Sequence, residues 1–305
     1  MKPLNQSKLN TKWSEFKAYL DRRVSGIMTG IPCLDNYLLG LGCLVNVQGE
    51  ESSCKSSFGL QLLHHNLLLG HPGLVIDKEN GTGRLMLRLI CQANKISEKE
   101  FLDAPDEMKK VYSEKIDAYR VHIHTEPIIQ IEDFVTRVRE FDKAYDHQPF
   151  TVLFDSIQAA DSVDESQRIS LEKWVYALDS LKLEMAGRAT IIFISEKNRM
   201  SFGTQGTGGG KGSNVVDYKP ETVLDIKWNE SSDTFTIKVS KHRDGLKGTK
   251  FELRKVMSQA DNPRSFTFLL EETELEATDC ALDKKPALGT TFTERKINVV
   301  RGDSF

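Results

Sequence analysis

The chain has 305 residues, 39% hydrophobic and 28% charged, with a formal net charge of -3 and five cysteines. That length suits one α/β domain of about 250 residues with short flanks, the composition excludes wholesale disorder, and no apolar run approaches the roughly 20 residues of a membrane span. The cysteines (Cys33, Cys43, Cys54, Cys91, Cys280) form no CxxC pair, which argues against a disulfide framework or zinc module and for a reducing compartment. The slight negative charge leaves any nucleic-acid contact to local basic loops.

In chain order, the lysine-rich N-terminus lacks the apolar core of a secretion signal. Trp13, Phe16 and Leu20 share one face of an amphipathic helix over 12–23. Val45 to Gln48 is a strand running into Gly49, and Ser57 to Leu69 a buried helix. Gly73 to Asp77 is a second strand, followed by a helix with Leu85, Leu89 and Ala93 on one face. This β-α-β order predicts a parallel sheet. Residues 97–117 are charged and helical in pattern, Arg120 to His124 reads as a strand, and Ile129 to Tyr145 as a helix. Thr151 to Phe154 is a core strand ending at Asp155, Ser170 to Ala186 a helix carrying Trp174 as a packing residue, and Ala189 to Ile194 a fourth core strand. His64, His65, His122 and His124 lack acidic or cysteine partners in the pattern and read as core or surface histidines rather than metal ligands.

Segment 203–213 breaks the alternation. Its six glycines leave a backbone too permissive to hold one shape without a partner. Thr222 to Trp228, Thr234 to Lys241 and Lys250 to Arg254 then read as an antiparallel extension of the sheet. Beyond residue 271 the chain is polar, and Glu271, Glu272, Glu274 and Glu276 form an acidic cluster that could compete for a basic loop. The expected organisation is a linker over 1–28, one α/β domain over 29–270 and a flexible tail over 271–305.

Gly49-Glu50-Glu51-Ser52-Ser53-Cys54-Lys55-Ser56 has the spacing of a phosphate-binding loop, with Cys54 in place of the second glycine. Between a strand and a helix, the loop's N–H groups, through Ser57, would surround phosphates; Lys55 would reach the terminal phosphates and Ser56 would ligate magnesium. A serine-rich turn with a chance lysine is the alternative for this segment alone. A left-handed backbone at Cys54 would cost on the order of 1–2 kcal/mol, or roughly tenfold in nucleotide affinity. Asp155, at a strand's C-terminal end, suits a magnesium-holding aspartate, and Glu79 suits a general base that polarises the attacking water. Either residue could instead be an ordinary turn or surface acid.

These residues resemble the RecA superfamily over roughly residues 24–270, and within it the ATPase domain of DnaB-type replicative helicases. Thr29-Gly30, Leu34-Asp35 and Leu38 are similar to the start of that domain, and Val75 to Glu79 to the strand that carries its glutamate. Leu87-Arg88-Leu89 is similar to DnaB in order and spacing. Asp155-Ser156-Ile157-Gln158 resembles the family's magnesium-site strand end, and Ser195 to Arg199 its sensor motif, with Glu196 where the family has glutamine. Lys241-His242-Arg243-Asp244-Gly245 with Gly248-Thr249 resembles the strand end whose basic residues reach the ATP of a neighbouring subunit. The resemblance implies a RecA-like fold using ATP and Mg2+, with Glu79, Lys55, Arg243 (an arginine finger) and Lys241 as catalytic residues. It also implies single-stranded DNA bound by Lys197, Arg199, Phe202 and Lys211, a homo-oligomeric ring or filament, and a place in the cytoplasm of a bacterium or phage-infected cell. A helicase is the leading expectation; a RecA- or RadA-type recombination or repair ATPase and a nucleotide-gated DNA-binding protein without hydrolysis are the alternatives.

Overall fold

The computed structural model describes residues 27–38, 40–125, 130–159, 167–197, 215–229, 234–243, 248–256 and 269–272. Each apolar run read as a strand is one. β1 (Leu44–Gly49), β2 (Gly73–Asp77), β3 (Val121–His124), β4 (Phe150–Asp155), β5 (Ala189–Glu196) and β6 (Thr222–Asn229) pair in parallel, in the order β3-β2-β4-β5-β1-β6. β7 (Thr234–His242), β8 (Lys250–Val256) and β9 (Leu269–Glu272) continue the sheet antiparallel. The sequence reading ends the sheet at Arg254 and starts the tail at residue 271. The structure corrects this, because β9 lies along β8 with Glu271 opposite Arg254 and Glu272 opposite Leu253. Two of the four clustered glutamates therefore belong to an edge strand. The amphipathic segment 12–23, the glycine-rich segment and the chain beyond residue 272 lie outside the described residues.

Helices cover both faces, so the central parallel strands are buried on both sides and mostly apolar. Side chains alternate: Val45, Val47, Leu153, Ile192 and Ile194 pack under α2 (Lys55–Leu68) and α3 (Thr82–Asn94). Leu44, Val152, Phe154, Ile191 and Phe193 pack under α6 (Ile131–Ala144) and α7 (Gln167–Glu184). Trp174 on α7 is fully buried, with its ring centroid 5.7 Å from that of Phe134 and 5.1 Å from that of Phe154.

Local chemistry explains the interruptions. α1 (Pro32–Leu38) is docked by Asp35, whose carboxylate accepts from Thr29 N at 2.6 Å, Thr29 Oγ1 at 2.8 Å and Gly30 N at 3.0 Å. The helical stretch 97–117 splits into α4 (Glu98–Asp103) and α5 (Asp106–Asp117). α4 starts on a reciprocal Ser97–Glu100 capping box, and Pro105, at the N-terminal boundary of α5, separates the two helices. α8 (Val215–Tyr218) is a single turn leading into β6. Burial of His64 pulls its pKa down to about 4, and its Nε2 lies 3.1 Å from the Tyr119 hydroxyl.

Candidate nucleotide site

In a parallel sheet the carboxyl ends of the strands form one rim, where ligands of such folds bind. Gly49, Asp77, Asp155 and Glu196 end β1, β2, β4 and β5 there. Gly49 has to be glycine, because a Cβ would stand 2.5 Å from the Ile226 carbonyl and 2.5 Å from Ser53 Oγ. The loop then turns through two left-handed residues, Ser52 at φ 63° and Cys54 at φ 66°. Cys54 occupies the N-cap of α2 but its side chain gives no cap. The helix therefore directs its first N–H groups and its positive dipole end at the loop, which is the setting for an anion. Ser53 Oγ is buried beside them with no hydrogen-bond partner among the described residues.

Lys55 opens α2 and is 9% exposed, its Nζ donating to the Glu50 carbonyl at 2.6 Å. Burial lowers its pKa; Glu196 first, then Asp155 and Glu79, oppose that shift. These acids therefore face the ammonium at the rim.

Asp155 is 1% exposed, and its Oδ1 is buried with no hydrogen-bond partner among the described residues. Burial pushes its pKa up to about 7, the Ser56 hydroxyl beside it pulls the other way, and Asp77 and Glu79 add to the rise. A buried carboxylate with one oxygen unsatisfied, next to a serine hydroxyl, is a donor set that suits a hard divalent cation such as Mg2+. Asp77 stands level with Asp155 across the β2–β4 pair. The Asn80 amide bridges the two, donating to Asp77 Oδ1 at 2.8 Å and Asp155 Oδ2 at 3.2 Å, and it accepts from Arg88 Nη1 at 3.4 Å. Glu79 lies two residues beyond the end of β2, exposed, and accepts a hydrogen bond from the Ser156 hydroxyl.

Gly49, Ser52, Ser53, Cys54, Lys55, Ser56, Ser57, Glu79 and Asp155 thus gather at one rim, with Glu50 and Glu51 in the loop between. Arg243 and Lys241 do not join them. β7 runs antiparallel to β6 and sets His242 opposite Thr222, which pairs with Val45, four residues before Gly49. At about 3.3 Å per residue this puts the basic turn roughly 13 Å below the loop, at the far edge of the sheet. There the Arg243 guanidinium lies 3.6 Å from Glu221, with its side chain 58% exposed. Lys241 Nζ instead donates to the Asp217 carbonyl at 3.4 Å and to the Tyr218 carbonyl, at the end of α8. The Gly248-Thr249 pair is structural: Thr249 Oγ1 hydrogen-bonds the Tyr37 hydroxyl.

Of the residues expected to meet DNA, Arg199, Phe202 and Lys211 lie outside the described residues. Lys197 is turned inward, 10% exposed and paired with Asp225 Oδ2 at 2.9 Å. Its ammonium serves this ion pair, which departs from the surface role expected of it. Sequence reading also missed Asp77, Asn80 and Asp225. A polar DKENG turn gives no local sign that its Asn bridges two buried carboxylates.

A parallel sheet with a glycine-led loop, a buried lysine and a buried aspartate at its carboxyl rim defines a phosphate-loop ATPase of RecA-like architecture. The chain belongs to the DnaB-like helicase C terminal domain family, which it matches over residues 26–202, and it is an ATP-hydrolysing enzyme of that class. Compared as a whole sequence with curated proteins, it matches none. Among solved structures it resembles the ATPase domain of G40P, with a TM-score of 0.74 and 15% identity over 90% of this chain and 100% of that one. A DnaB-like replicative helicase, solved in a study of its interactions with primase, gives 0.69 and 15% over 85% of this chain and 66% of that one. The RadB recombinase gives 0.55 and 20% over 81% and 100%. Among the described residues, no helix is long and apolar enough to cross a membrane.

Proposed function

We propose that the chain is the motor of an oligomeric helicase that hydrolyses ATP while working on single-stranded DNA, with each active site shared between two protomers. The observation that carries this reading is the separation of the basic turn from the loop: the exposed Arg243 sits at the opposite sheet edge, so it can reach a phosphate only on a neighbouring copy. The closed, two-sided demand of such a contact suits a head-to-tail ring or filament.

In this reading the backbone from Gly49 to Ser57 cradles the phosphates and Lys55 exchanges its loop carbonyl for the terminal phosphates. Ser56 and Asp155 hold Mg2+, which when bound would neutralise charge between those phosphates. Glu79, oriented by Ser156, accepts the proton of the attacking water. Arg243 of one protomer stabilises the charge that develops on its neighbour's nucleotide, an effect worth about 10³–10⁵ in rate, while Lys241 holds the turn that presents it. Arg199, Phe202 and Lys211 supply phosphate contacts and a stacking face for single-stranded DNA. The family match supports a helicase over a RecA- or RadA-type recombinase.

The test is complementation. Glu79→Gln and Arg243→Ala should each reduce ATP turnover by about 10² or more, yet an equimolar mixture should recover about a quarter of wild-type activity, since random assortment pairs an intact Glu79 with an intact neighbouring Arg243 at one junction in four. A mixture as inactive as its components would overturn the shared site. Turnover unchanged by single-stranded DNA would remove the DNA-coupled motor.

A further inference from the structure

β1 reads Leu-Val-Asn-Val-Gln-Gly, and both of its polar side chains are buried, Asn46 fully and Gln48 at 1% exposure. Polar groups at such positions cost folding free energy unless every hydrogen bond is made. Here they are made in a directed chain. Ser195 Oγ donates to Asn46 Oδ1 at 2.8 Å, Asn46 Nδ2 to Gln48 Oε1 at 3.3 Å, and Gln48 Nε2 to Asp225 Oδ1 at 2.7 Å. Asp225, 4% exposed on β6, accepts on its other oxygen from Lys197 Nζ at 2.9 Å and from the Ser240 hydroxyl. The Lys197 backbone N–H in turn donates to the Gly49 carbonyl at 3.0 Å.

These contacts close a ring around the point where the chain leaves the sheet to form the phosphate loop. Gly49 is held by the Lys197 N–H; the Lys197 side chain is held by Asp225; Asp225 is held by the Gln48 amide; and Gln48 is bonded to Gly49. We infer that Asp225 and Lys197 are positioning residues for the phosphate loop. They touch no nucleotide and act by fixing the direction in which Gly49 leaves β1 between its neighbours β5 and β6. Displacement of a reacting group by about 1 Å costs up to roughly 100-fold in rate, so the loop's aim is worth this buried polar machinery. The same network fastens Asn46 Nδ2 to the Val216 carbonyl at 3.2 Å, so β1 side chains hold α8 as well as the end of β5.

The inference rests on the nucleotide site proposed above, and its test separates the two. Calorimetry of wild-type chain with Mg-ATP comes first: no uptake removes the nucleotide site and this inference with it. With uptake established, DNA-free turnover and thermal unfolding are compared for Asp225→Asn and for the double variant Lys197→Met with Asp225→Leu. Asp225→Asn strands a buried ammonium and should lose both stability and turnover. The double variant removes both charges, and well-packed apolar replacements of a buried ion pair are commonly neutral or stabilising, so its unfolding midpoint should rise well above that of Asp225→Asn, short of wild type only by the buried Gln48 amide left without its acceptor. Its turnover should nevertheless stay about tenfold or more below wild type, because Gln48 has lost its acceptor and the backbone at position 197 its side-chain tether to β6. If turnover returns to within twofold together with stability, the pair only neutralises buried charge, and a positioning role is refuted. If the double variant fails to refold, Lys197→Arg decides: it retains the Asp225 pairing, and a positioning role requires it to retain turnover above that of Asp225→Asn.

Discussion

Replacing Cys54 tests the backbone of the phosphate loop. Cys54 holds φ 66° and ψ 25°, a conformation that costs an L-residue roughly 1–2 kcal/mol and glycine essentially nothing. Two effects oppose the relief given by Cys54→Gly: the larger conformational entropy of unfolded glycine, about 0.4–1 kcal/mol relative to alanine, and the loss of a half-buried thiol packed on the core. Cys54→Ala also loses the thiol but retains the strain, so the difference between the two variants isolates the backbone. The glycine variant should be the more stable by about 1 kcal/mol, or roughly 2–4 °C in unfolding midpoint for a domain of this size. Calorimetric melting of the two proteins side by side measures it. Within a helix the order is reversed by about 1 kcal/mol, so an alanine variant that melts higher would refute the left-handed turn. Since the strain belongs to the folded chain, it weighs on folding rather than on nucleotide affinity, contrary to the tenfold loss expected from sequence. Cys54→Gly should change the dissociation constant for Mg-ATP by less than about threefold, and a tenfold gain, about 1.4 kcal/mol, would mean that the loop relaxes between turnovers.

Other consequences are equally open to measurement. Asp155, with its pKa raised to about 7 in the fold, binds its proton more tightly folded than unfolded, so its contribution to stability is present in full below its unfolded value near 4 and is lost as pH rises towards 7. That loss is about 4 kcal/mol at most. Urea unfolding at pH 5 and pH 8 should show a steeper decline in wild type than in Asp155→Asn, and equal slopes would contradict the burial of this carboxyl. Glu79→Gln should reduce turnover by about 10²–10⁴ with Mg-ATP affinity by calorimetry within about threefold of wild type; retained turnover would move the general base elsewhere. Trp174→Ala should destabilise the domain by about 3–5 kcal/mol, since the indole is 1% exposed between Phe134 and Phe154, and a loss under 1 kcal/mol in denaturant titration would argue against that packing.

Much of the fold was legible because each core strand is a short apolar run bounded by turn residues, and α3 and α6 show a clear helical period, whereas the short α1 and α8 give none. The splitting of 97–117 needed Pro105 and the Ser97–Glu100 cap to be weighed above the charge pattern. β9 was hidden for the opposite reason: Leu-Leu-Glu-Glu at 269–272 is too short to show alternation, and its acids belong equally well to a tail. Pairing across a sheet is a long-range choice, and the order β3-β2-β4-β5-β1-β6 follows from which faces have to be covered rather than from any local signal.

The same distinction divides the site. That Gly49, Lys55 and Asp155 meet at one rim could be expected because each is fixed by its own segment: a strand end, a helix start and the parallel sheet that brings such ends together. Lys197 could not be read correctly this way. Beside a glycine-rich stretch, a lysine looks like a phosphate contact, and the partner that turns it inward, Asp225, stands in another strand 28 residues away. Asn46 and Gln48 give no local sign of their role either: alternate polar residues in a strand ordinarily mark a solvent face, whereas here both faces are covered and the amides bond to one another. Arg243 shows the converse. Its basic turn was recognised, but only the antiparallel return of β7 reveals that it ends at the edge opposite Gly49. An arginine one residue beyond the end of β7 cannot cross roughly 13 Å of its own sheet, so if it acts on a phosphate at all, the sheet's topology obliges that phosphate to belong to another copy of the chain.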